Sequence, residues 1–247
     1  MNRYLKTSFR FWPCWAAVFA SAVFFLAAPT AGQDQPTYLD STRRAQETPS
    51  RLSLERTAPW LDDVIAWTDQ SHFRGWRIQR HVDSDKFRLL NEDDDVRATG
   101  TFANCSAVLD QVRREQKLEP MRGKAVVLLH GLAAPRWSMK PIAAYLRKHG
   151  GYETFVVEYA SLRSTIDDAA GGLANVINRL EGIEEIHLVG HSMGNIVIRR
   201  YLAGDDTPKR GWRPDRRIGR VVMIAPPNHG SITATQLSGS STFKTVF

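Results

Sequence analysis

The feature that most constrains this chain is a serine with a glycine two residues away on either side, at Gly190–Gly194 (Gly-His-Ser-Met-Gly). The run before it, residues 185–189, is rich in strand formers, and residues 195–202 follow with apolar residues at helical spacing. A strand that passes into a helix through so short a turn holds the serine in a strained backbone conformation. Side chains at the two glycine positions would collide with the neighbouring strand and helix. The apolar positions of this helical pattern are Ile196, Ile198, Tyr201 and Leu202.

This pattern is typical of a nucleophile elbow, a turn that projects a serine hydroxyl at the end of a sheet. Ser192 would lie beside a helix N-terminus, whose free N–H groups favour negative charge. The alternative is a glycine-rich turn without chemistry. Because the pentapeptide alone is a weak signal, the strand before it and the helix after it carry the hypothesis. Ser192 is therefore the candidate nucleophile.

The first 32 residues have the pattern of an export signal. Basic residues precede the apolar run Phe11–Ala28, and small residues follow it. That run of 18 residues is long for a signal core and just long enough to span a bilayer. A cleaved signal peptide and a retained N-terminal membrane anchor both stay open, and both predict that the rest of the chain is exported.

The organisation of the remaining chain follows from its composition. Residues 33–58 are polar and contain prolines, which predicts a flexible linker. Residues 59–247 have the length of one α/β domain. Its first residues, 59–67, predict a short amphipathic helix in which Trp60, Val64 and Trp67 pack on the core or touch lipid. Once residues 1–32 are removed, Cys105 is the remaining thiol; it is expected to be buried and inert.

The charge of the chain does not indicate a nucleic-acid partner. The formal net charge is +7, and without residues 1–32 the chain keeps 30 basic and 26 acidic residues, about +4. A basic loop around Trp212 could meet anionic lipid headgroups, although a solvated face is the other interpretation, because acidic residues dilute it. The loop's basic residues are Lys209, Arg210, Arg213, Arg216, Arg217 and Arg220.

The chain from residue 75 onward contains three segments with the pattern of β-strands. Segments 75–82, 86–90 and 97–102 predict a β-meander at the start of a mixed sheet. Between the last two, the acidic run 91–95 predicts a solvated turn rather than a metal site, since it lacks ordered ligand spacing. Asn104 is predicted to cap a helix that runs from Cys105 to Lys117 with Val108, Leu109 and Val112 inward.

From residue 124 onward, strands and helices alternate. Such alternation predicts a parallel sheet flanked by helices, the α/β class, and the continuous apolar run 124–129 predicts a strand buried on both faces. Ser164 or Thr165 can cap the second helix with Asp167 or Asp168 three residues later. The predicted strands are 124–129, 153–159, 185–189 and 220–225, and the predicted helices are 141–149, 165–180 and 195–202.

Together these motifs resemble the lipase/esterase branch of the α/β-hydrolase fold, of the triacylglycerol-lipase type. The matching stretches include 128–132 (Leu-Leu-His-Gly-Leu), 190–194 and 222–231 (Val-Met-Ile-Ala-Pro-Pro-Asn-His-Gly-Ser), and the resemblance covers about residues 76 to 235. It implies a serine hydrolase of carboxylic esters, in which Ser192 forms an acyl-enzyme. It also implies that the backbone N–H groups of Leu132 and Met193 hold the oxyanion.

The resemblance further implies a triad in the order serine, acid, histidine, with the last two on loops after later strands. Only 23 residues follow Ile224, so we expect a C-terminally truncated hydrolase whose acid and histidine lie beyond residue 247. His229 belongs to the wall of the site in this interpretation and is a weak alternative as base. The acids that could assist it are Asp205, Asp206 and Asp215.

Three further histidines receive other expectations. His130 is expected to shape the oxyanion loop, His187 to be a satisfied core residue, and His191 to point into packing. No metal or organic cofactor is implied. The expected substrate is an ester, by resemblance an acyl lipid; an acyltransferase and a catalytically inactive, membrane-tethered binding domain are the alternatives.

Overall fold

The computed structural model describes residues 66–207 and 211–230, which form two four-stranded sheets. The first sheet is antiparallel, in the order β1-β2-β3-β4, and the second is parallel, in the order β6-β5-β7-β8. The antiparallel strands are β1 (Trp67–Phe73), β2 (Trp76–His81), β3 (Phe87–Leu90) and β4 (Val96–Gly100). The parallel strands are β5 (Gly123–Leu129), β6 (Glu153–Val157), β7 (Ile183–His191) and β8 (Ile218–Ile224).

Helices connect the parallel strands as the sequence predicted, so the α/β fold class is confirmed. The described helices are α1 (Phe102–Glu115), α2 (Lys140–Gly150), α3 (Ile166–Asn178) and α4 (Met193–Ala203), with a short 3-10 turn at Arg136–Met139. No helix within the described residues has the length and apolar character needed to cross a membrane. The predicted signal segment and linker, residues 1–58, lie outside the described ranges.

The strand β5 forms the centre of the core, and its apolar run is buried on both faces as predicted. Ala125, Val127 and Leu129 point into one hydrophobic cluster, whereas Val126 and Leu128 point into the other. The parallel register pairs β5 with β6 on one side and with β7 on the other. The carboxyl ends of β5, β6 and β7 therefore meet at one edge of the sheet.

The edge strand β8 is much more open than its neighbours. Val221, Val222 and Met223 are 39%, 51% and 49% exposed. Both faces of this strand are accessible, because side chains alternate between the faces of a strand.

The predicted mixed sheet is wrong, because the meander forms a sheet of its own. The two sheets meet where Asp69 N donates a hydrogen bond to Glu158 O (2.9 Å), just past the end of β6. A further strand, β1, that the sequence did not predict pairs with β2. Trp67, expected at the end of a helix, lies in β1 instead, under the Arg88 guanidinium (4.1 Å). The rest of that predicted helix, residues 59–65, is outside the described part of the chain.

The start of α1 differs from the prediction by three residues. Thr101 is the N-cap, since its Oγ1 accepts a hydrogen bond from Asn104 N (3.2 Å), so Asn104 lies within the helix and not at its cap. Leu109 is buried as predicted, and Cys105 is buried and free. Burial raises the pKa of the Cys105 thiol, which disfavours the reactive thiolate, as expected for an inert cysteine.

Two other helices test finer predictions. Thr165 caps α3, because its Oγ1 accepts from Asp168 N (3.1 Å), whereas Ser164 donates to Ala160 O and caps nothing. On α4 one of the apolar positions of the helical pattern, Ile196, is 38% exposed, whereas Val197 is buried. Successive residues of an α-helix are rotated by about 100° around its axis. The helix face that packs on the sheet therefore contains Gly194, Val197, Ile198 and Tyr201.

The acidic turn before β4 is exposed as expected, and Asp94 within it also forms ion pairs. Asp94 accepts hydrogen bonds from Arg77 Nη2 (2.6 Å) and from Arg136, so it bridges the meander and the 3-10 turn. Burial alone would raise the pKa of Asp94, but the two guanidinium groups lower it below its ordinary value. Within residues 66–207 and 211–230 no cluster of His, Cys, Asp or Glu could hold a metal ion.

Candidate active site

The turn between β7 and α4 has the backbone that the glycine–serine–glycine spacing predicted. Ser192 has φ 51° and ψ −119°, a region that residues with a Cβ rarely adopt. Its N–H donates to Ile224 O (3.0 Å), and the Asn195 side chain donates to both Ser192 O and Ile224 O. The turn is thus tied to the end of β8 while Ser192 stays partly exposed.

Each glycine of this turn is required by a different neighbour. A Cβ added at Gly190 would lie 2.6 Å from Asn195 Oδ1 and 2.9 Å from Asn195 N, on the helix side. A Cβ added at Gly194 would lie 2.7 Å from His130 O and 2.8 Å from Leu129 O, at the end of strand β5. The predicted collisions with a strand and a helix are therefore confirmed.

A Gly194→Ala substitution is expected to lower the free energy of unfolding by about 1–3 kcal/mol, because the new methyl group meets rigid backbone oxygens. The measurement is urea unfolding followed by tryptophan fluorescence. Gly171→Ala on α3 is the matched control: its added Cβ would lie 3.7 Å from the Trp212 ring, an ordinary contact. In the control, stability is expected to rise by up to about 1 kcal/mol. Equal midpoints for both variants and the wild type would contradict the close packing of α4 on β5.

The loop after β5 runs directly against the elbow. A Cβ added at Gly131 would lie 3.1 Å from Ser192 Cβ and 3.1 Å from His191 Nδ1. Leu132 is the next residue along this loop, and Met193 is the first residue of α4, whose N–H belongs to the unpaired donors of a helix start. Beyond Leu132, Ala133 N donates to Ser161 Oγ (3.1 Å). The two segments with the predicted oxyanion donors therefore lie together at the carboxyl ends of neighbouring parallel strands.

His130 lies at the start of this loop and is fully buried. Its ring stacks on Tyr159 with 4.4 Å between centroids. Nδ1 lies 2.8 Å from Gly131 O, and Nε2 lies 2.8 Å from Glu158 Oε1. Both ring nitrogens thus face oxygens other than that of Ser192, which leaves His130 a structural part of the loop rather than a base.

Glu158 is a residue of this site for which the sequence analysis assigned no role. It is 2% exposed and directly follows β6. The signal in the sequence is a carboxylate at the end of the apolar run 155–157, at the edge where β5 and β7 also end. A carboxylate in such a place needs partners, because an unpaired buried charge is costly.

Strand β7 contains two histidines, His187 and His191, and both are packed against neighbouring residues, as expected. His187 Nδ1 accepts from Arg220 N (3.2 Å), and its ring meets the Tyr152 edge. His191 is buried beside Gly131. Burial, together with nearby His130, lowers the pKa of His191, so the neutral imidazole is favoured there.

His229 follows β8 and is exposed. Within the described residues no carboxylate lies within ion-pairing distance of it, and the acids proposed for it have other partners. Asp205 pairs with Arg200 (3.0 Å), and Asp215 pairs with Arg217 (2.8 Å). The third, Asp206, lies 3.6 Å from Arg213 on the surface. The alternative in which one of these carboxylates orients His229 as base is therefore not supported by the structure.

These features define the class of protein: a parallel α/β domain with a strained serine at a strand–helix turn. A family model described as alpha/beta hydrolase family matches residues 126–243, a range that includes the loop after β5 and the turn at Ser192. No curated protein and no solved structure matched the chain. Residues 126–243 are thus similar to the alpha/beta hydrolase family; the chain has the α/β-hydrolase fold, and the match supports a hydrolase-type function in general.

Proposed function

We propose that this protein is a serine hydrolase that cleaves carboxylic esters through an acyl-enzyme on Ser192. The observation that carries the proposal is the strained Ser192 at the start of α4, with the loop after β5 packed against it. A strained serine at such a turn presents its hydroxyl at the end of the sheet, where substrate can reach it.

In the proposed reaction the Ser192 oxygen attacks the acyl carbon and its proton passes to a general base. The Leu132 and Met193 N–H groups donate to the carbonyl oxygen as it becomes negative, and each such donor contributes about 3 kcal/mol in comparable enzymes. The bond to the alcohol then breaks and the alcohol leaves with the proton. Water hydrolyses the acyl-enzyme in the same way and restores the serine.

Neither His130 nor His229 is supported as the general base. The nitrogens of His130 are engaged with Gly131 and Glu158, and His229 has no carboxylate partner within the described ranges. An acyl-lipid substrate, and export through residues 1–32, extend the proposal on the lipase-like motifs and on the apolar N-terminal run, respectively.

A fluorophosphonate probe tests the proposal on the full chain. We expect one equivalent of probe per chain, and peptide mass spectrometry should place it on Ser192. Hydrolysis of short and long p-nitrophenyl esters then measures acyl preference, and an added alcohol acceptor distinguishes acyl transfer from hydrolysis. A folded sample that takes up no probe would contradict the proposal and favour an inactive binding domain.

A further inference from the structure

The Glu158 carboxylate is a buried polar group that the proposed chemistry leaves unused. Its Oε1 lies 2.8 Å from His130 Nε2, and its Oε2 accepts a hydrogen bond from Arg136 N (3.0 Å). His130 is the first residue of the loop that contains Leu132, and Arg136, the first residue of the 3-10 turn, directly follows that loop. One carboxylate on the neighbouring strand end therefore contacts both ends of the proposed oxyanion loop.

The contacts of His130 determine where its protons are. Gly131 O is a carbonyl and can only accept, so His130 Nδ1, 2.8 Å away, must carry a hydrogen. Nε2 has no aligned hydrogen bond within the described residues, and the nearby Glu158 Oε1 is its charged neighbour. The contact of 2.8 Å between Nε2 and Glu158 Oε1 therefore holds the ring in the orientation with Nδ1–H toward Gly131 O.

The peptide group between Gly131 and Leu132 links the direction of the Gly131 C=O to the direction of the Leu132 N–H. It is trans, since the described residues contain no cis peptide bond. In a trans peptide the C=O and N–H groups point in opposite directions. Holding Gly131 O toward the His130 ring therefore turns the Leu132 N–H to the opposite side.

Glu158 is itself firmly held. Its N–H donates to Asp69 Oδ2 (2.8 Å), and its C=O accepts from Asp69 N (2.9 Å). Next to it, the Tyr159 hydroxyl donates to His130 O (2.7 Å) while the Tyr159 ring stacks on the imidazole. The meander sheet thus supports Glu158, and Glu158 supports the loop.

We propose that Glu158 is a positioning residue that acts through His130 to set the direction of the Leu132 N–H. The inference rests on the proposed function, because it treats that N–H as an oxyanion donor.

The experiment compares Glu158→Ala with Glu158→Gln and with the control Glu153→Gln. Glu153 is also a carboxylate of β6, but it pairs with Arg74 at the other end of the strand. We expect Glu158→Ala to lower the labelling rate of Ser192 and kcat by about 10- to 100-fold, with KM changed less than threefold, since one donor is misplaced rather than deleted. Glu158→Gln is expected to recover most of the rate, because its amide can donate to Nε2 and accept from Arg136 N.

A second measurement does not depend on activity. The backbone amide signal of Leu132 and the ring nitrogen signals of His130, recorded by ¹⁵N NMR, are expected to shift in Glu158→Ala and to stay near wild type in Glu158→Gln. Unchanged signals in Glu158→Ala would overturn the inference whether or not the protein reacts with the probe. A wild type that takes up no probe but shows these shifts would contradict only the proposed function.

Glu158→Ala can also fail to fold, because it leaves polar groups buried without partners. The double variant Glu158→Leu/His130→Phe removes both side chains of the contact between Nε2 and Oε1 and keeps a ring against Tyr159. We expect it to fold and to show the same loss of kcat and the same shift of the Leu132 amide. A folded double variant with wild-type kcat and an unshifted amide would overturn the inference.

Discussion

Replacing Ser192 with alanine is expected to abolish fluorophosphonate labelling and to lower kcat/KM for ester hydrolysis by about 10⁴-fold or more. The physical reason is that the acyl-enzyme route loses its nucleophile, while the oxyanion donors alone supply only a small part of the rate. Initial rates with a p-nitrophenyl ester give the measurement. Ser106→Ala, on α1 and away from the elbow, is the control and should keep the wild-type rate. Hydrolysis by the Ser192 variant at the wild-type rate would place the nucleophile elsewhere.

The same position allows activity to be separated from stability. Ser192→Gly is expected to lose activity equally but to raise the free energy of unfolding by about 1 kcal/mol, because glycine adopts φ 51° without the strain of a Cβ. Urea unfolding of the alanine and glycine variants measures the difference. A glycine variant less stable than the alanine variant would show that the backbone at this turn is not strained.

Replacing Asp69 with alanine is expected to lower the free energy of unfolding by about 3–5 kcal/mol. The Asp69 carboxylate is fully buried and lies 2.8 Å from His72 Nε2, 3.1 Å from Arg77 Nη1 and 2.8 Å from Gln79 Nε2. Its removal leaves these donors buried without an acceptor, and it also frees the Glu158 N–H. Thermal and urea unfolding give the measurement. Asp85→Ala, at an exposed pair with Arg80, is the control and should cost less than about 1 kcal/mol.

Acidification should remove the stability that Asp69 and His72 provide. Burial alone would raise the pKa of Asp69, but the charges of Arg77 and His72 and several hydrogen bonds lower it far below its ordinary value. Burial, the largest effect, lowers the pKa of His72, although nearby Asp69 opposes that change. The unfolded chain therefore binds more protons at both groups, so stability decreases as the pH falls below about 6.5 and decreases further below about 4.

Unfolding free energies of the wild type and of Asp69→Asn, measured between pH 7 and pH 3, test this sign. The variant lacks the titrating carboxylate, so its curve should be flatter below about pH 4. A wild type that gains stability on acidification over this range would contradict the assignment.

Much of the parallel half of the fold followed from the sequence because its signals are local. The apolar run of β5 has to be buried on both faces, and the glycines at 190 and 194 are needed by contacts with directly adjacent elements. Thr165 and Asp168 cap α3 within a span of four residues. The α3 cap and the contact between Gly190 and Asn195 lie within a few residues of the chain, whereas Gly194 meets the end of β5. The glycine–serine–glycine spacing is nevertheless local, so the turn at Ser192 could be predicted from the sequence.

The polar half of the site depends on contacts between distant parts of the chain. Residues 68–72 of strand β1 are all polar, a composition typical of the protein surface. In the structure these residues are nevertheless buried. They can be buried because their partners come from far along the chain: Asp69 meets Glu158, and Gln70 meets Asn175. The sequence by itself determined the turn that presents Ser192 and the sheet that holds it. Only the tertiary structure decided that the meander would stand as a separate sheet and that Glu158 would be buried against His130 and Arg136, because a buried polar side chain is stable only where folding supplies its partners.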